Sequence, residues 1–113
     1  GNETIIKYLI EYGADINKED KEGKTPLFYI CQRGYSNLIK YFIDHGADIN
    51  KRDKYNVSPL FEACERENEN IVKHLIENGA KMDKENEYGE TPLIKACMIG
   101  NEKIVKYLID RGA

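Results

Sequence analysis

The amino-acid sequence predicts an all-α solenoid, a row of stacked helix–turn–helix units, and three observations predict it. Short motifs return at a fixed step of 33 residues without insertion: Gly13-Ala14-Asp15, Gly46-Ala47-Asp48, Gly79-Ala80-Lys81 and Gly112-Ala113. Thr25-Pro26-Leu27, Ser58-Pro59-Leu60 and Thr91-Pro92-Leu93 keep that step, as do Cys31, Cys64 and Cys97. Apolar residues lie between these marks at helical spacing: Leu38, Ile39, Phe42 and Ile43, then Ile71, Val72, Leu75 and Ile76, then Ile104, Val105, Leu108 and Ile109. One period held along a whole chain marks a repeat array.

Each element of the unit has a local cause. Asp20-Lys21-Glu22-Gly23 is turn chemistry, because glycine takes positive φ without steric cost. Thr25 and its counterpart Ser58 suit a helix N-cap, and Pro26 suits the first turn, where a missing N–H costs nothing. A short helix is expected from Pro26 to Arg33, ending near Gly34. A second helix carries the apolar face, and Gly46, Gly79 and Gly112 sit where a left-handed C-cap belongs. Helices of under three turns are unstable alone in water. A single pair buries too little to offset ordering entropy, so neighbours must stack into one core.

The repeats from Asp20, D-K-E-G-K-T-P-L-F-Y-I-C-Q-R-G, and from Asn86, N-E-Y-G-E-T-P-L-I-K-A-C-M-I-G, resemble the ankyrin-repeat family, as does G-A-D-I-N. The resemblance covers the chain as a single ankyrin-repeat domain, 1–113. It divides into a partial repeat at 1–19 with a second helix only, repeats at 20–52 and 53–85, and a truncated repeat at 86–113. It implies an α-solenoid with protruding β-turn or hairpin loops, curved so that tips and first helices form the concave side. Three departures stand out. The family's usual His after T-P-L is replaced by Phe28, Phe61 and Ile94, so packing must take over its linking role. Asn56 replaces the turn glycine, a mild change because Asn tolerates the left-handed region. Glu67 stands where Gly34 and Gly100 stand, and is strained wherever that site needs positive φ.

Composition narrows the function. With 41% hydrophobic residues a core is attainable, and 17 basic against 20 acidic residues give no concentrated basic patch for nucleic acid. No apolar run approaches a membrane span. Three cysteines make a poor disulfide framework, which points to a reducing, intracellular setting, cytoplasmic or nuclear. Their shared register reads as small buried residues, the alternative being a reactive thiol, and no His joins them as a zinc ligand. His45 sits beside a cap glycine; His74 aligns with Tyr8, Tyr41 and Tyr107 in a stripe read as lateral packing. The acids are interspersed with Lys as on a solvated face. No catalytic constellation, metal site or cofactor-binding motif is expected, and hence no enzyme.

Positions that vary while the frame stays fixed point to the contact surface. The tips read Lys21-Glu22, Lys54-Tyr55 and Glu87-Tyr88; the inward positions of the first helices read Tyr29, Glu62 and Lys95. Tyr29, Arg33, Tyr55, Val57, Arg66, Tyr88, Met98 and Ile99 combine this placement with hot-spot chemistry or unexpected apolar character, and are the candidate partner-binding residues. The expected role is a non-catalytic protein–protein interaction module binding another protein of unknown identity. The alternative is a structural spacer or scaffold segment of a larger multidomain protein. Gly1-Asn2-Glu3 aligns with Gly100-Asn101-Glu102, and neither end has a polar-faced cap. A piece of a longer array is therefore expected, with end-to-end self-association through its uncapped terminal repeats.

Overall fold

The computed structural model describes residues 2–113 of the chain. Its elements are α1 (Asn2–Glu11), α2 (Pro26–Arg33), a 3-10 turn (Ser36–Leu38), α3 (Ile39–Asp44), α4 (Pro59–Glu65), α5 (Glu69–Glu77), α6 (Pro92–Ile99) and α7 (Glu102–Asp110). There is no strand among the described residues. The elements stack into an elongated body of 40 × 26 × 21 Å. First helices α2, α4 and α6 pack more closely on one another than second helices α3, α5 and α7 do. That inequality is what a stack concave on the first-helix side, as the resemblance implies, requires. The expected all-α solenoid is the observed fold, and its protruding connections are turns.

Two kinds of apolar column make the core. Leu38, Ile71 and Ile104, with Phe42, Leu75 and Leu108, are each at most 1% exposed. They sit at the same register position in each second helix. In α1 that register falls on Ile5 and Leu9, which are 60% and 57% exposed, because no first helix of the described chain pairs with α1. Ile39 and Val72 are buried, whereas Val105, at the same register on α7, the last described helix, is only partly buried. Burying such a side chain contributes about 1.5–3 kcal/mol, so each unit's stability depends on the next.

Caps and turns repeat with equal regularity. Ser58 and Thr91 accept from the backbone N–H of Phe61 and Ile94, as the N-cap expectation requires. Thr25 departs from it: its hydroxyl is buried without a partner, and α2 begins without a side-chain cap. Asn68 and Asn101 cap α5 and α7 through the N–H of Ile71 and Ile104. The equivalent residue before α3 is Tyr35, which has no short acceptor to offer. The chain there opens in a tight 3-10 turn before the α-helix starts.

Asp20, Asp53 and Asn86 each accept two backbone N–H bonds, two and four residues on, which closes each tip. Successive tips are tied by Lys54 N–H to Glu22 O (2.8 Å) and Glu87 N–H to Tyr55 O (3.1 Å). A Cβ at Gly23 would stand 3.1 Å from the Lys54 nitrogen, so a side chain there would push the next tip away as well as strain a backbone at φ 78. Further back, Asn17 accepts from the N–H of Asp48 and Asn50 from that of Lys81, both at 2.8 Å.

Glu67 has φ 57 and Asn56 has φ 62, so both substitutions of glycine sit in the left-handed region. Glu67 gains one compensating contact, a 3.3 Å bond from the Asn101 side-chain amide at the surface. An exposed bond of that length does not offset a backbone cost of about 1 kcal/mol. Glu67→Gly should therefore raise the melting temperature by ~2–5 °C; an unchanged or lowered value in a thermal melt would show that the Asn101 contact outweighs the strain.

Candidate binding surface

The first-helix side is built from the tips and first helices, and seven of the eight sequence-derived candidates fall there in three groups, with Arg66 between them. Tyr29 and Arg33 lie one turn apart on α2. They line an open apolar groove of about 280 Å³ with Ile6, Pro26, Ile30, Tyr35 and Phe42. The Tyr29 hydroxyl donates to the Asp20 carboxylate. This bond pushes the phenol up to about 12 and lowers the carboxyl of Asp20, which also accepts from backbone N–H groups of Lys24 and Glu22. Tyr29 is thus pinned by its own turn and presents a ring rather than a free hydroxyl.

Tyr55, Val57 and Tyr88 occupy adjacent tips. Tyr88 is 78% exposed, with its phenol raised chiefly by the Glu87 carboxylate beside it. Tyr55 is 38% exposed and lies under the Lys54 ammonium, 5.1 Å from the ring centre. Val57 corrects the expectation of an exposed apolar residue. It is half-buried, because its N–H and C=O are both drawn onto Asp53 to close the tip. The third group is Met98 and Ile99 at the end of α6, 65% and 37% exposed.

Arg66 stands between these groups, at the end of α4. Its Nε donates to Glu62 Oε1 at 2.9 Å, and Glu62 raises the guanidinium above its ordinary value. Glu62 was expected on the inward surface beside Tyr29 and Lys95; instead it is buried, 5% exposed. Its spacing of four from Arg66 was the available signal, since i,i+4 pairs face each other on a helix. Lys95 covers the neighbouring position, with its ammonium 5.9 Å from the Phe61 ring centre. Phe28 and Phe61 are buried and so provide the packing expected in place of histidine, whereas Ile94 is 44% exposed.

The convex side has a different character. Lys7, Lys40, Lys73 and Lys106 form one column at the 33-residue step, and Glu11, Asp44, Glu77 and Asp110 form the next column, four residues on. Lys40 and Asp44 meet at 3.1 Å. Every cation of that column has an acid four residues on in the sequence, although among the described residues only Lys40 pairs with its acid, and Lys7 and Lys73 lie over the rings of Tyr41 and Tyr107. The Tyr41 ring stacks on His45 at 4.1 Å, and its hydroxyl donates to the Lys7 carbonyl at 3.3 Å. The tyrosine stripe therefore packs laterally between second helices at this position.

The cysteines divide. Cys31 and Cys64 are buried, and burial pushes both thiols up, Cys64 to about 12. Cys97 corrects the expectation of a third buried thiol: it is exposed, because no following unit of the chain covers α6. Among the described residues no group of three or more His, Cys, Asp or Glu is placed to hold a metal ion. No helix of the described residues is long and apolar enough to cross a membrane.

A row of helical pairs with tied tips, an exposed aromatic and apolar concave side and a charge-matched back defines a repeat scaffold whose variable surface is the first-helix side. The chain belongs to the ankyrin-repeat family: the family model "Ankyrin repeats (3 copies)" matches residues 1–86 and 70–113. It is also similar to protein phosphatase 1 regulatory subunit 27 of Homo sapiens and of Mus musculus, each 46% identical over 38 residues. That alignment covers 34% of this chain and 25% of each relative.

The burial pattern fixes the thiol chemistry. Cys97 should react with a bulky aromatic disulfide in the native state, with Cys31 and Cys64 reacting only on unfolding; fast native labelling of all three would contradict their burial. The folded thiols titrate above their ordinary value of 9.0, so the native state favours the protonated form. Their contribution is complete below pH 9.0 and is lost as pH rises toward about 12, the folded value of Cys64. Urea midpoints should fall across that window, and less so in Cys64→Ala measured against its own value at neutral pH.

Proposed function

We propose that this chain is a non-catalytic protein-binding module that holds a partner protein against its concave side and turn tips. The observation that carries this reading is the contrast between the two sides. The back repeats matched charges in register, whereas the front varies from unit to unit and leaves Tyr55, Tyr88, Met98 and Ile99 exposed. Exposed aromatic and apolar groups on a rigid support suit a protein interface. Membership of the ankyrin-repeat family supports the same reading, as does similarity over one segment to a protein named as a regulatory subunit. The binding set is Tyr29, Arg33, Tyr55, Val57, Arg66, Tyr88, Met98 and Ile99, carried on units at 20–52, 53–85 and 86–113 behind the partial unit 1–19. Three free thiols suit a reducing cytoplasm or nucleus.

A second reading, end-to-end association, is favoured by the apolar side chains exposed at both ends. Ile5 and Leu9 are 60% and 57% exposed at one end, and Ile109 is 54% exposed at the other. It is compatible with a scaffold role in a larger assembly. Sedimentation velocity should then show a weight-average mass that rises with concentration; a constant monomer mass up to millimolar chain would remove this reading.

For the concave surface, the immobilised chain should retain a partner saturably from cell extract. Replacing Tyr55, Tyr88 and Ile99 together by alanine should weaken retention at least ~10-fold while leaving the thermal melt within a few degrees. Undiminished retention by the triple variant would reject this surface.

A further inference from the structure

The first helices α2 and α4 end on the same cation, a guanidinium where the back carries ammonium groups. Arg33 and Arg66 occupy the same register position on α2 and α4, and Ile99 continues the column on α6. The ion pairs among the described residues are Lys24–Glu22, Lys40–Asp44, Lys51–Glu19 and Arg66–Glu62, and Arg33 is in none of them. The residue one turn before Arg33 is Tyr29, whose hydroxyl is already bound to Asp20. Arg66 does have an acid, but one lying beneath it: the Glu62 side chain is 7% exposed and the Arg66 side chain 52%. Among the described hydrogen bonds the Arg66 guanidinium uses only Nε.

The physical consequence is a guanidinium held by its inner edge. Glu62 takes the Nε–H and fixes the plane, while the two terminal nitrogens of this half-exposed side chain make no hydrogen bond among those described. A guanidinium is a planar fork suited to bidentate carboxylate recognition, and a fork already fixed loses less rotamer freedom on binding. Glu65 adjoins Arg66 on α4 and tempers its field, but its side chain is in no ion pair with it. The position one repeat before Glu65 is the neutral Gln32. The column therefore runs from an unpaired cation, through an oriented cation, to the apolar pair Met98 and Ile99.

We infer that the concave side binds an acidic segment of a partner protein, extended along the stack, with one carboxylate on Arg33, a second on Arg66 and a large apolar side chain against Met98 and Ile99. The inference rests on the proposed concave binding face and specifies the chemistry of its partner. Packed helices lie about 8–10 Å apart, and a partner segment in the polyproline-II form advances about 3.1 Å per residue with about three residues per turn, so side chains three positions apart share one face. The three anchors should thus fall about three residues apart. Glu62 acts here as a positioning residue, since it touches Arg66 rather than the partner.

The test is a titration of the isotopically labelled chain, followed by NMR, with two synthetic peptides. The first carries two glutamates three positions apart and a leucine three positions beyond; the second has glutamine in place of both glutamates. The acidic peptide should shift the Arg33 and Arg66 Nε–Hε signals saturably, with the glutamine peptide at least ~10-fold weaker. Arg66→Lys should weaken the acidic peptide ~3–10-fold although charge is kept, because the fork is lost. Glu62→Gln should weaken it less, with an unchanged amide spectrum elsewhere to show that the fold is intact. Arginine signals unmoved at millimolar acidic peptide, or moved equally by both peptides, would overturn the inference. Shifts confined to the amides of Tyr55, Tyr88 and Ile99, alike for both peptides, would overturn the acidic specificity and leave the concave binding face standing. Binding of single-stranded DNA oligonucleotide through the same two arginines, tighter than the acidic peptide, would also overturn it.

Discussion

Every unit of this chain borrows part of its core from its neighbour, and the rest of the structure depends on that shared seam. The clearest demonstration is internal. The same register position is fully buried at Leu38 and Ile71, 1% exposed at Ile104 and 60% exposed at Ile5. The residues are of similar size and apolarity; what differs is whether the first helix of the same unit lies over them. Between units the same contrast is seen at Ile39 and Val72, both buried, against Val105 on the last helix, only partly buried. With about 1.5–3 kcal/mol at stake for each such side chain, removing a neighbour costs more than a short helix can recover from its own hydrogen bonds. Helices of six to ten residues persist here because they are packed, not because their propensities are high.

The seam also explains how the surface can vary while the fold does not. Core positions, caps and tip closures repeat in register, and polar ties from Asn17, Asn50 and the tip backbone lock each unit to the next. The front positions are outside this frame. Tyr29, Glu62 and Lys95 share a register position yet have unlike chemistry: a pinned ring, a buried carboxylate and an ammonium over an aromatic face. A rigid support with independently variable side chains is well suited to recognition, because partner contacts can change without reopening the core.

Much of the architecture was legible in the residues themselves. Helix α2 spans Pro26–Arg33 as the proline and glycine punctuation indicated, and Glu67 and Asn56 adopt the left-handed backbone that their alignment with glycines required. What escaped was contextual. Thr25 has the composition of an N-cap, but its hydroxyl finds no partner, a matter of geometry that no local pattern encodes. Tyr35 gave no hint of a 3-10 start until Asn68 and Asn101 were seen capping the equivalent helices. Cys97 and Val57 were misjudged for opposite reasons. Exposure at Cys97 follows from the absence of a covering unit, and burial at Val57 from backbone bonds to Asp53. For the binding surface, position along the chain placed the candidates on one side, while the orientation of Arg66 by Glu62 needed three-dimensional coordinates.

The dependence of each unit on its neighbours is most directly tested by isolating one. A peptide of residues 53–85 contains α4, α5 and their caps, and lacks only the adjoining units. By far-UV circular dichroism it should show little helix and a non-cooperative thermal response, whereas the full chain melts cooperatively. A cooperative melt of that peptide as a monomer, with helix content like that of the same residues in the full chain, would contradict the account.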